Sequence, residues 1–279
     1  RRSSDLTLTL PVSNCPPFRA QVDLLRNIGS SRIMPSRVPA LTALRPAEAD
    51  PKPRKAATAV EPTFLKGMDG DFRLSLLNLR NSIDSAMKGM DSRIVLFASS
   101  VKGEGKTTIA SYLARVLAMG ESDRVLLIDC AVNNPQIHTL FGLKNEKGIL
   151  EYLSGRAELQ EIINSVDQDV LDVVTTGSVK GHDVTQPLFN SERMKFLISQ
   201  AGERYDYVLI DTSAILEAPE TQVLASYSTG VVIIVQAGKT RREVVKRAMM
   251  MVEKFGGRFI GSVLNRKKYH IPGFIYRRV

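Results

Sequence analysis

The chain has 279 residues, 43% of them hydrophobic and 24% charged, enough for one large α/β domain or two small ones. No apolar run approaches the roughly 18–20 residues that span a bilayer. Two distant cysteines, Cys15 and Cys130, and scattered His138, His182 and His270 offer no disulfide framework or zinc spacing, a usage that fits a reducing cytoplasm.

The net charge of +9 is uneven. Residues 1–60 carry ten Lys/Arg against four Asp/Glu, and residues 265–279 carry five cations and no acid. Basic ends serve as solubilising tails or as contacts to nucleic acid, anionic lipid or an acidic polymer. The chain opens on Arg1 rather than Met, as a piece of a longer protein does, and no signal-peptide-like apolar stretch follows.

Residues 1–62 read as a disordered, basic, Pro-rich segment. They contain Pro11, Pro16, Pro17, Pro35, Pro39, Pro46, Pro51 and Pro53 without a sustained apolar period, and a short helix around residues 20–28 is their one candidate element. A domain follows over residues 63–266. It opens with a helix over 63–90, whose apolar stripe comprises Phe72, Leu74, Leu76, Leu77, Leu79 and Ile83. Ile94 to Ala98 is apolar throughout, as a central parallel strand is. A Gly/Lys loop then leads into a helix over 106–119. Strands are expected at 125–128, 171–174, 207–210, 231–235 and 259–264. Helices are expected at 149–153, 159–163, 192–201, 219–226 and 241–255. This alternation predicts a doubly wound, mostly parallel α/β sheet of the P-loop NTPase kind.

The loop Ser99-Ser100-Val101-Lys102-Gly103-Glu104-Gly105-Lys106-Thr107-Thr108 suits ATP phosphates. Consecutive backbone N–H groups entering a helix N-terminus cradle anions, and Gly103 and Gly105 let that backbone come close. Lys106 would reach the β- and γ-phosphates, and the Thr107 hydroxyl would bind Mg²⁺. Ser100 occupies the first Gly position of the G-x-x-x-x-G-K-[ST] pattern, and Thr108 stands where a dinucleotide fingerprint needs its third glycine. Two apolar strands end in carboxylates, Asp129 and Asp211. These are candidates for the metal shell and for catalysis beside Lys106, although a strand-end Asp also serves as a turn residue or helix cap.

These residues resemble the bacterial tyrosine kinases of capsule and exopolysaccharide export, in the branch of partition and division ATPases. The resemblance covers roughly residues 72–266. Ser99–Thr108 looks like the family's Walker A loop, and Val125–Asp129 followed by Asn134-Pro135 looks like its second Walker strand. Gly148–Gly155, residues 190–194 and Tyr205–Thr212 match the segments that follow and the approach to Walker B. Gln236–Arg241 and Val263–Arg266 complete the set. The resemblance implies ATP and Mg²⁺ as cofactors. It implies a nucleotide shell of Lys102, Gly103, Glu104, Gly105, Lys106, Thr107, Thr108 and Asn265, and a metal shell of Thr107, Asp129 and Asp211. It also implies an inner-membrane polysaccharide co-polymerase as partner, homo-oligomers, and a cytoplasmic location at the inner face of the bacterial plasma membrane. Partition-type relatives carry lysine in the second position of the loop, where this chain has Val101.

The departures bear on chemistry. Ala131 replaces the second aspartate of Asp-x-Asp, the group held to deprotonate the tyrosine hydroxyl. Ser213 and Ala214 stand where Walker B usually continues with two prolines. The Glu-x-x-Arg-x-x-Arg oligomerisation motif falls on Leu74, Leu77 and Arg80, and of the C-terminal tyrosine cluster only Tyr269 and Tyr276 remain. Weak or lost kinase activity is therefore expected, with a non-enzymatic nucleotide switch or a partition-type ATPase as alternatives. Residues 267–279 form a basic, aromatic tail. It suits packing on the domain, docking to a membrane protein or lipid, or, least, nucleic acid.

Overall fold

The computed structural model describes residues 5–9, 70–120, 123–167, 170–179 and 186–267. Chain contacts group Arg1–Leu10 with Ala56–Val279 and set Pro11–Lys55 apart; only the first unit falls among the described residues. The expected helix at 20–28, residues 63–69 of the first domain helix, and residues 268–279 of the tail lie outside them.

One sheet organises the molecule. Its strands are β1 (Asp5–Thr9), β2 (Arg93–Ser99), β3 (Val125–Cys130), β4 (Ile163–Asp167), β5 (Leu171–Val174), β6 (Tyr207–Thr212), β7 (Gly230–Gln236) and β8 (Phe259–Lys267). They lie in the order β1-β8-β7-β2-β6-β3-β5-β4. The six inner strands run parallel, and β1 and β4 close the edges antiparallel. Strand β2 has β6 on one side and β7 on the other, so the loop leaving it opens where the winding reverses, the usual ligand crevice of such sheets.

The period-two alternation of each central strand feeds two cores. Val95, Phe97, Leu127, Leu209 and Ile234 face α1 (Gly70–Ala86) and α2 (Lys106–Ala118). Leu96, Ala98, Ile128, Ile210 and Ile233 face the opposite layer. That layer holds α4 (Ile149–Leu153), α6 (Gln186–Phe189), α7 (Glu192–Arg204), α8 (Pro219–Tyr227) and α9 (Arg242–Lys254). Local chemistry sets the helix starts: Ser191 caps α7 by accepting from the Met194 N–H, and Pro219 sits in the first turn of α8.

The structure departs from the expectations drawn from sequence in four respects. Asp5–Thr9 lies within the segment expected to be disordered, yet it forms β1. Its Leu6 and Leu8 alternate with threonines, and the strand takes the open edge of β8, pairing Thr7 with Leu264 and Thr9 with Ser262. Ile163 ends the expected helix and begins β4, because α5 (Leu159–Ile162) has one turn only. The short helices α3 (Ile137–Phe141) and α6 carry too few residues for a visible period. Leu74, read as part of the α1 stripe, points outward: it lies roughly 200° around the helix from Phe72, whereas Phe72, Leu76, Leu79 and Ile83 share the buried face.

Helix α1 is thus part of the domain core. Leu79, 2% exposed, should lose about 2–5 kcal/mol of unfolding free energy as Leu79→Ala. Leu74→Ala, at a side chain 57% exposed, should change it by less than about 0.5 kcal/mol. Denaturant unfolding of the two variants measures both.

Candidate active site

The loop after β2 is shaped by a buried acid. Glu104 is 1% exposed and faces inward. Its Oε2 accepts from the backbone N–H groups of Ser100 at 2.9 Å and Val101 at 3.0 Å. Its Oε1 accepts from the Gln236 N–H at 2.9 Å and the Thr240 hydroxyl at 2.5 Å. The side chain therefore braces the loop, and what Glu104 can offer a phosphate is its backbone N–H. The sequence reading placed Glu104 in the nucleotide shell without this distinction.

The end of β8 supports the same loop. Asn265 is buried, and its Nδ2 donates to the Glu104 carbonyl at 2.8 Å. Arg266 Nη1 donates to the Gly103 carbonyl at 3.3 Å. Gly105 has φ +97, and a Cβ there would come within 2.2 Å of Asn265 Nδ2, so two constraints demand glycine at once. In this arrangement Asn265 positions the loop.

Lys106 opens α2. Its Nζ donates to Ser99 Oγ at 2.7 Å, and that hydroxyl donates to the Val101 carbonyl at 2.6 Å. Burial holds the Lys106 pKa below the ordinary lysine value, against the attraction of Asp211, Glu104 and Glu217. Lys102, Gly103 and Thr108 lie exposed on the loop's outer side.

Register places Asp129 directly beside Asp211 on neighbouring strands. Thr107 Oγ1 donates to Asp211 Oδ2 at 2.6 Å, while the buried Asp211 Oδ1 has no hydrogen-bond partner. Burial, then the neighbouring Asp129 charge, push the Asp211 pKa up to about 7. Asp129 is differently employed. Its Oδ1 accepts from the Ala131 N–H at 3.0 Å and its Oδ2 from the Ile137 N–H at 3.1 Å, so this carboxylate folds the turn after β3. Burial raises its pKa also. The structure places Lys106, Thr107, Asp129 and Asp211, all singled out from the sequence, at one end of the sheet. Sequence reasoning missed Ser99, Gln236, Thr240 and Arg266; the last three lie in matched segments to which it assigned no role.

Comparison with known proteins fits this geometry. The AAA domain family matches residues 92–261. Tyrosine-protein kinase YwqD of Bacillus subtilis is 31% identical over 190 residues, which cover 68% of this chain and 79% of YwqD. The chain belongs to the bacterial tyrosine-protein kinase family. Tyrosine-protein kinase etk of Escherichia coli is 30% identical over 187 residues, 67% of this chain and 25% of etk, so the chain spans about a quarter of that relative. The kinase domain of Escherichia coli tyrosine kinase ETK superposes with a TM-score of 0.67 at 28% identity, covering 72% of this chain and 79% of that one.

Within that family, several positions of this chain depart from the pattern described above. Ala131 is buried immediately after β3, and its methyl accepts no proton. Asn133 reaches Ser213 across the gap, Nδ2 to Oγ at 3.5 Å. Arg80 is engaged within the chain by Asp123 at 2.6 Å and Asp84 at 3.7 Å. Among the described residues, no helix is long and apolar enough to cross a membrane.

Two outcomes follow for the apo protein. Glu104→Ala should cost about 2–4 kcal/mol, because four donors lose their acceptor, whereas exposed Lys102→Ala should stay within about 0.5 kcal/mol; chemical denaturation compares them. The second concerns pH. Burial favours protonated Asp211, so its contribution to stability is full below the unfolded pKa of about 3.9 and is lost as pH rises through about 7. In nucleotide- and metal-free protein, Asp211→Asn should therefore raise the thermal midpoint more at pH 8 than at pH 5, a difference calorimetry can measure.

Proposed function

We propose that this chain binds Mg-ATP through Ser99–Thr108 and acts in exopolysaccharide or capsule biosynthesis as the cytoplasmic kinase-like partner of an inner-membrane co-polymerase, with weak phosphoryl transfer. The observation that carries the reading is an asymmetry. Lys106, Thr107 and Asp211 converge at the end of β2 and β6, while the position that should hold the proton acceptor is Ala131. P-loop transfer depends mostly on positioning and charge stabilisation, which the surviving groups supply.

The donor set fits Mg²⁺. A hydroxyl and a carboxylate are the hard oxygen ligands the ion takes, and Asp211 Oδ1 is buried without a partner. Thr107 and Asp211 would hold it. Asp129, with both oxygens on backbone N–H groups, would shape the surrounding turn. When bound, the ion neutralises charge on the β- and γ-phosphate oxygens. Lys106 would exchange Ser99 for phosphate oxygens, and the N–H groups around Gly103 and Gly105 would receive the rest.

A second reading, a nucleotide-dependent switch docking on a membrane partner, draws on Glu104. Its carboxylate ties the phosphate loop to Gln236 and Thr240, just before α9. A shift of the loop on nucleotide binding would be passed to that helix through these bonds.

Lys106→Ala should abolish Mg-ATP binding in isothermal calorimetry, since a charge-assisted phosphate contact contributes roughly 1.5–3 kcal/mol and the same lysine orders the loop. Equal affinity in the variant would misplace the site. Ala131→Asp should raise tyrosine autophosphorylation with labelled ATP by about 10²–10⁴-fold, the usual worth of a positioned base. An inert Ala131→Asp protein with normal ATP affinity would favour the switch.

A further inference from the structure

Helix α9 carries an outer face unlike the rest of the domain. Residues 239–258 hold seven Lys/Arg against two Asp/Glu, whereas residues 61–238 hold sixteen against twenty-three, so positive charge is gathered on one segment of an otherwise acidic domain. All nine of these charged side chains are exposed, and among the described residues no ion pair engages any of them. On the inner side Ala248 and Val252 are buried, and Val245, Met249 and Met251 pack against the core. Met250 lies two residues from each buried position, about 160° around the helix, and is 59% exposed. Its surface neighbours are Lys246 four residues before it, Arg247 three before and Lys254 four after, with Glu253 the one acid among them. Past the last turn Phe255 is 37% exposed, and Lys254 Nζ stands 5.9 Å from its ring centroid.

We propose that the outer face of α9 docks on an anionic lipid surface, with Met250 and Phe255 entering the headgroup layer and Arg242, Lys246, Arg247 and Lys254 meeting the lipid phosphates. An apolar side chain at the centre of a cationic helix face is what an interfacial helix presents to a bilayer. Lysine and arginine stems lie along apolar surface while their charged heads reach the phosphate level. Each cation near such a surface strengthens binding by about fivefold. This contact needs no nucleotide, so it stands or falls apart from the Mg-ATP reading of the phosphate loop.

Two features favour lipid over nucleic acid, whose phosphates would attract the same cations. Met250 and Phe255 gain from leaving water for the acyl boundary, whereas a phosphate backbone offers Met250 nothing. The face is also preformed. Its 13 residues span about 20 Å as a helix already packed on the core. Gln236 and Thr240 fasten the approach to its first turn on Glu104, and the Gly257 N–H donates to the Val252 carbonyl at 2.9 Å at the far end. Docking therefore costs no helix formation, and a short face with few apolar anchors suffices.

The test is co-sedimentation of the full chain, without nucleotide, with vesicles of phosphatidylcholine alone or of equal parts phosphatidylcholine and phosphatidylglycerol. The chain should bind the anionic vesicles, more weakly at high salt, and leave the neutral ones. Lys246→Glu combined with Arg247→Glu should weaken binding by on the order of 10²-fold. Arg73→Glu combined with Lys144→Glu makes the same change in net charge at exposed positions beside the opposite face of the sheet, and should stay within about threefold of the parent. Met250→Ala should weaken binding about threefold to tenfold, at low and high salt alike. All five positions are exposed, so the thermal midpoints of the variants should match the parent's. Equal losses in the two charge-reversed pairs, or a Met250→Ala protein that binds as the parent does, would overturn the proposal. So would tighter binding to a random-sequence DNA duplex than to the anionic vesicles, lost in the Lys246→Glu, Arg247→Glu pair, which would assign the face to nucleic acid.

Discussion

A carboxylate shut away from water must be matched by donors, and the Glu104 side chain has four of them: two N–H groups of its own loop, one from the end of β7 and one hydroxyl from the turn that follows. The arrangement makes the phosphate loop a folded object before any nucleotide arrives. It turns the glutamate inward, so that Gly103, Gly105 and the start of α2 form the outward surface. A preformed cradle does not have to lose its conformational freedom on binding, which is how loops of this kind hold polyanions with backbone groups alone.

Everything at the end of the sheet is positioned around that loop. Asn265 and Arg266 hold its carbonyls from β8, and Ile215 reaches Ser99 from the Walker B side. The parallel register of β3, β2 and β6 then sets Asp129 and Asp211 side by side at one level. The two acids have separate employment. Asp129 is satisfied by backbone N–H groups, whereas Asp211 keeps one oxygen unpartnered and shares the other with Thr107. Burial is costly for that second acid until a cation meets it, which is the polarity expected of a metal-binding carboxylate.

Much of this was legible in the sequence, for reasons that can be traced to particular residues. Continuous apolar runs such as Ile94 to Ala98 admit little besides a central strand, and the Gly103-Glu104-Gly105-Lys106-Thr107 string admits little besides a phosphate loop. Register did the rest, since equal distances from strand start to acid bring Asp129 and Asp211 together. Two things stayed hidden because they depend on long-range contact. The inward turn of Glu104 needs Gln236 and Thr240, more than 130 positions away. The β1 strand needs the open edge of β8, and a five-residue alternation inside a Pro-rich segment is too short to announce itself.

A crystal structure of the chain with Mg-ADP addresses the account most directly. A preformed loop predicts that Glu104 keeps its bonds to Ser100, Val101, Gln236 and Thr240, that Lys106 leaves Ser99 for the β-phosphate, and that Asp211 and Thr107 meet at the metal. Release of Glu104 into solvent, or nucleotide bound away from residues 99–108, would contradict it.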